Sequence, residues 1–170
     1  MPGILIVAPM TCREVLSLGV QMSAIWMDQS YFVDWFEAEE APFGVNLNRY
    51  DGIVVGCSDQ LKASDKEWIL VNREVVKRKK NGFFATLNHS RYFDKNGLIS
   101  KEVSRIPNRL EWNPEISKVF CVHYDGAGVL ENKKLIQEAQ DFAIHFKKLI
   151  EQPSVTDSWE LSPLGIPFSI

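Results

Sequence analysis

A cysteine next to an arginine at the start of a helix is an arrangement that favours a thiolate. Cys12-Arg13 stands in that position, separated from the apolar run ILIVA by Pro9, Met10 and Thr11. The helix start and the guanidinium would both lower the thiol pKa, which points to nucleophilic or redox chemistry. A phosphate-transferring cysteine in such a turn needs an arginine six residues on, and that position is Leu18. The competing reading of Cys12 is a packing thiol, the commonest use of a free cysteine. Gly126-Ala-Gly128 precedes a helix as a dinucleotide-binding turn would, but Glu131 stands where the third glycine belongs, which leaves a plain turn. The three histidines, His89, His123 and His145, have no metal-ligand spacing. Ser58, Asn88, Ser90 and Tyr92 lie in two polar loops and could hydrogen-bond or stack on a ligand, or could be ordinary solvated residues.

The elements that must position these residues are legible as alternating periods. Ile4–Ala8 is a short continuous apolar run, as in a central parallel strand covered on both faces. Thr11-x-x-Glu14 reads as a capping box opening a helix whose core stripe is Val15, Leu16, Leu18, Met22, Ile25 and Trp26. Residues 31–37 are rich in strand formers, and Pro42 and Gly44 leave room for a short helix at most before the next strand. Ile53–Gly56 is a buried-strand run followed by a polar loop. Ser64-x-x-Glu67 is a second capping box, with Trp68, Ile69, Val71, Val75 and Val76 facing inward. That helix closes on the basic run Lys77–Lys80 and then Asn81-Gly82, read as its stop; the run itself reads as a solvated helix end. Strands are expected at 83–87 and 119–122, a short helix at 98–106 and a long amphipathic helix at 131–150. Strands and helices alternating in this way predict an α/β fold, a parallel sheet with helices on both faces.

Composition narrows the function. The chain has 170 residues, 45% of them hydrophobic and 24% charged, with a formal net charge of −3. That balance gives no electrostatic reason to expect nucleic acid or an anionic membrane as partner. No apolar run reaches membrane-spanning length. Three cysteines without a CxxC pair fit a reducing, cytoplasmic setting.

With these elements in order, the chain resembles the flavodoxin-like family, and most nearly its protoporphyrinogen-dehydrogenase type. The matching pieces are ILIVA, YDGIVVGCS, ATLN, LEWNPEISKVFCVHYDG and the closing helix, together covering residues 4–150. The resemblance implies a doubly wound five-stranded parallel sheet of order 2-1-3-4-5. The domain is read as 1–152, and from Pro153 three prolines and the lack of a helical period mark 153–170 as an extended arm. It implies FMN at the carboxyl edge and electron transfer to a redox partner protein or small-molecule substrate. By position, Thr11 and Cys12 would meet the phosphate. Cys57, Ser58, Asp59 and Gln60 would flank the ring on one side, and Asn88, His89, Ser90 and Tyr92 on the other. The arm, apolar at Trp159, Leu161, Leu164, Ile166 and Phe168, could lie on the body or join a homodimer.

The family's phosphate turn is rich in Ser, Thr and Gly. Here it is shorter and has no glycine, Pro9 removes an amide donor, and Glu14 brings a carboxylate to the first helical turn. Arg13 could offset that charge. These residues predict a weakened phosphate end. They also support a second reading, a flavodoxin-like domain that binds no flavin and serves as an interaction or assembly module.

Overall fold

The first strand, β1 (Gly3–Val7), has no exposed residue, because it is flanked on both edges and covered on both faces. The computed structural model describes residues 1–38, 46–58, 63–88, 117–122 and 133–153. Along the chain β1 is followed by α1 (Arg13–Asp28), β2 (Phe32–Phe36), a 3-10 turn (Leu47–Arg49), β3 (Gly52–Cys57), α2 (Ala63–Arg78), β4 (Lys80–Asn88), β5 (Ser117–Val122) and α3 (Lys133–Glu151). The strands form one sheet in the order β2-β1-β3-β4-β5, every pair parallel. This is the doubly wound α/β architecture and strand order that the alternating periods and the resemblance imply. The expected short helix at 98–106 and the arm from 154 onward lie outside the described residues, as do Asp59, Gln60, His89, Ser90, Tyr92, His123 and Gly126-Ala-Gly128.

Alternation along the strands divides the core into two layers. Ile4, Ile6, Val54, Phe84 and Phe120 face α1 and α3, where they meet Val15, Leu18, Met22, Trp26, Phe142 and Phe146. Leu5, Val7, Ile53, Val55, Phe83 and Ala85 face α2, where they meet Trp68 and Val76. Trp26 ties the first helix to the last: it is fully buried, its ring meets Phe146 edge-on at 5.7 Å, and its Nε1 donates to the Ala143 carbonyl at 2.9 Å. On the edge strand β2, Asp34 accepts a 2.6 Å hydrogen bond from the Tyr50 hydroxyl. Burial first, and then that carboxylate, push the Tyr50 phenol up to about 12.

Several local expectations are corrected. Thr11 does not cap α1; the N-cap is Cys12, in extended conformation and without a side-chain cap hydrogen bond, so the Thr11–Glu14 capping box does not form. The chain leaves β1 through buried Pro9 and turns one residue later than the box requires. Leu16 and Val71, assigned to the inward stripes, are 36% and 56% exposed, since each stripe is narrower than its apolar content suggests. Ser64 lies within the first turn of α2 rather than ahead of it. Asn81-Gly82 is not a turn but part of β4. Asn81 still acts at the helix end from inside the strand, where its buried Nδ2 donates to the carbonyls of Val76 and Lys79, each at 3.1 Å.

Two backbone positions carry a measurable cost. The end of α1 is a Schellman motif, with Tyr31 N–H donating to Trp26 O at 3.0 Å and Ser30 N–H to Met27 O at 3.1 Å. Its left-handed position is held by Ser30 at φ 68° rather than by glycine. Gly19 brings α1 against β2 so closely that a Cβ there would lie 2.1 Å from Cη2 of Trp35. Ser30→Gly is therefore expected to stabilise the fold by about 0.5–1 kcal/mol in urea denaturation. Gly19→Ala is expected to destabilise it by about 1–3 kcal/mol despite the better helix propensity. The double variant with Trp35→Phe should recover part of that loss.

Candidate functional site

In an open parallel sheet the strand order reverses at one place, and loops leaving the carboxyl ends there diverge to opposite faces. In this order the reversal falls between β1 and β3, with Val7 of β1 in register with Val55 of β3. The β1–α1 loop, residues 8–12, and Cys57-Ser58 at the end of β3 therefore border one crevice at the carboxyl edge. Thr11 is exposed, Cys12 and Ser58 are half-buried, and Cys57 is fully buried. Cys57 faces the α2 layer of the core, so its side chain packs rather than lining the crevice. Gly56, just before it, is crowded by Phe84, whose Cζ would lie 2.4 Å from a Cβ at that position. The backbone of Asn88 ends β4 at the same edge, paired with Val122.

Several of the loop's polar groups are engaged within the chain, while exposed Thr11, released from capping, makes no hydrogen bond among the described residues. Ala8 N–H donates to Phe36 O at 3.0 Å, and Ala8 O accepts from Trp35 Nε1 at 3.2 Å. Pro9 has no N–H to give. Met10 N–H donates to the Glu37 carboxylate. Cys12 O accepts from Leu16 N–H at 2.9 Å, the first bond of the helix. The Cys12 thiol donates to Glu14 Oε2 at 3.4 Å.

These contacts reverse the expectation for Cys12. Burial pushes its thiol above the ordinary range, and the hydrogen bond and charge of Glu14 push it further; the nearby N–H groups of Val15 and Glu14 pull the other way without prevailing. Arg13 is exposed. The geometry makes Cys12 a packing thiol that partners Glu14, and the activated nucleophile is set aside. Among the described residues no three His, Cys, Asp or Glu side chains are grouped to hold a metal ion. No helix among them is long and apolar enough to cross a membrane.

Solved structures share this arrangement. An oxidised flavodoxin 1 from Bacillus cereus superposes with a TM-score of 0.63 at 13% identity, over 87% of this chain and 98% of its own. Flavodoxin 2 from the same organism gives 0.59 at 17% identity, over 86% and 99%. The apo form of an NADH:FMN oxidoreductase gives 0.64 at 9% identity, over 92% and 94%. The fold is flavodoxin-like. At these identities the likeness is one of architecture. No protein-family model matches the chain, and no curated protein matches it.

A phosphate placed at the β1–α1 loop of this flavodoxin-like fold would meet a poor fit. A phosphate needs donors and a positive field. Against exposed Thr11 and Arg13, the loop sets a ring nitrogen without N–H at Pro9, an amide at Met10 already given to Glu37, and the carboxylates of Glu14 and Glu37 close by. Glu37 was not among the residues singled out in the sequence, because it lies 27 positions from its partner. The signal that finds it is topological: a carboxylate directly after β2 is delivered beside the loop after β1 once those strands are neighbours.

The thiol assignment has a direct test. Alkylation of Cys12, followed by peptide mapping in the folded protein, is expected to be slow near neutral pH, with a midpoint above that of an ordinary cysteine. Glu14→Gln should move the midpoint down. A midpoint below the ordinary range would restore the nucleophile.

Proposed function

We propose that this chain is a flavodoxin-like redox protein that carries a flavin against the carboxyl edge of its sheet, in the crevice between the loops after β1 and β3. The observation that carries the reading is the switch point itself: order β2-β1-β3-β4-β5 opens one crevice at the edge where ligands of such sheets bind. Structural neighbours of the same order of size include flavodoxins and an NADH:FMN oxidoreductase. The flavin would supply the electron chemistry, and the protein's part is to hold and enclose the ring. Half-buried Ser58 is at hand for the ring edge. Asp59, Gln60, Asn88, His89, Ser90 and Tyr92 complete the proposed enclosure on the strength of the family resemblance. The electron donor or acceptor is a redox protein or a small molecule, and the resemblance to the protoporphyrinogen-dehydrogenase type supports a tetrapyrrole-class donor.

One observation favours a second reading. The Met10 amide is taken by Glu37, which is what a domain that has closed its cofactor site would show, and such a domain would serve as an interaction or assembly module.

A visible absorption spectrum separates the two. The purified protein, incubated with excess FMN or riboflavin and then freed of unbound ligand, is expected to retain oxidised flavin bands with at least one of them. A colourless protein that also leaves flavin fluorescence unquenched would overturn the flavin reading and leave the interaction module.

A further inference from the structure

A loop that presents backbone donors attracts an anion, and here the anion is already part of the chain. Glu37 directly follows β2, and Phe36 pairs with Val7 at the end of β1, so the carboxylate is delivered beside the β1–α1 loop by the sheet itself. It accepts the Met10 N–H. The bonds from Ala8 N–H to Phe36 O and from Trp35 Nε1 to Ala8 O hold the loop against the end of β2, so the partnership is fixed on both sides. Glu14, in the first turn of α1, places a second carboxylate at the same loop and takes the Cys12 thiol as donor.

A phosphate monoester would bring about −1.5 to −2 charge into this loop. It would have to displace Glu37 from Met10 and then lie beside two carboxylates, with exposed Arg13 as the cation next to them. Two carboxylates against one guanidinium leave the balance of charge at the loop opposed to the ionised ligand. A ring system with an uncharged polyol tail meets none of this opposition, and its hydroxyls can donate to the same carboxylates.

We propose that Glu37 is the resident anion of the β1–α1 loop and acts as a specificity determinant, selecting a flavin without a terminal phosphate, of the riboflavin class, over FMN. The ligand half of this proposal rests on the flavin reading above; the loop half does not.

Two measurements on the full-length chain test the halves separately. In thermal melts at matched ionic strength, inorganic phosphate should raise the Tm of Glu37→Ala relative to chloride and leave the wild type unchanged. Equal stabilisation of the wild type would overturn the proposal, because the loop would then accept phosphate with Glu37 in place. No response in either protein would overturn it too, because the loop would then not be an anion site. In fluorescence titrations the wild type should bind riboflavin more tightly than FMN. Glu37→Gln, which keeps an acceptor for Met10 and removes the charge, should shift the preference toward FMN by roughly tenfold or more. An FMN preference in the wild type, or an unchanged ratio in Glu37→Gln, would overturn the specificity role. If neither flavin binds any variant, the flavin reading falls and takes the ligand half with it. The phosphate melts still decide the loop half, and Glu37→Gln serves there if Glu37→Ala fails to fold.

Discussion

The hydrogen-bond ladder of β1 has to be satisfied on both sides and shielded on both faces, and most of the architecture follows from that constraint. A strand with five buried residues in a row cannot lie at an edge, so β2 and β3 must flank it. Parallel pairing forces a crossover after each strand, which places α1 and α3 over one face and α2 over the other. Because β1 is the strand from which the sheet grows in both directions, its carboxyl end opens at the reversal point. The loop following it thus becomes the chemically interesting one, whatever its residues are.

Those residues differ from what their surroundings would suggest. The crevice lies where ligands of such sheets bind, yet part of its loop is taken by bonds within the chain. The carboxylates of Glu37 and Glu14 and the ring nitrogen of Pro9 make it a poor host for added negative charge. Fold and loop chemistry thus carry separate information. The fold says where a ligand would lie, and the loop limits what charge that ligand can bring.

The parts of the fold that depend on period were legible in the sequence. ILIV, IVVG and the stripe of α3 through Leu135, Ala139, Phe142 and Phe146 each specify their element, because burial of both faces or of one stripe leaves a distinct apolar spacing. Features set by one or two residues of backbone path were not. Thr11-x-x-Glu14 has the composition of a capping box, but the box depends on where the chain turns out of β1, and Pro9 and Met10 carry it past Thr11. Asn81-Gly82 has the composition of a stop, but tertiary pairing with Ile53 and Val54 draws both residues into β4. At the site, Thr11 and Ser58 lie toward the carboxyl edge because they follow β1 and β3 in the chain. Glu37 was missed because its partner is fixed by strand adjacency, which no local window contains.

The bond from Trp26 to the Ala143 carbonyl joins residues 117 positions apart. During synthesis the first helix therefore leaves the ribosome long before its partner helix exists. The indole that belongs against Phe146 and Ala143 has no native cover on that side until α3 is released. The contact between α1 and α3 therefore cannot form before α3 has been released. A nascent chain stalled before residue 133 would hold an apolar helix face open for chaperones, or for another copy of itself.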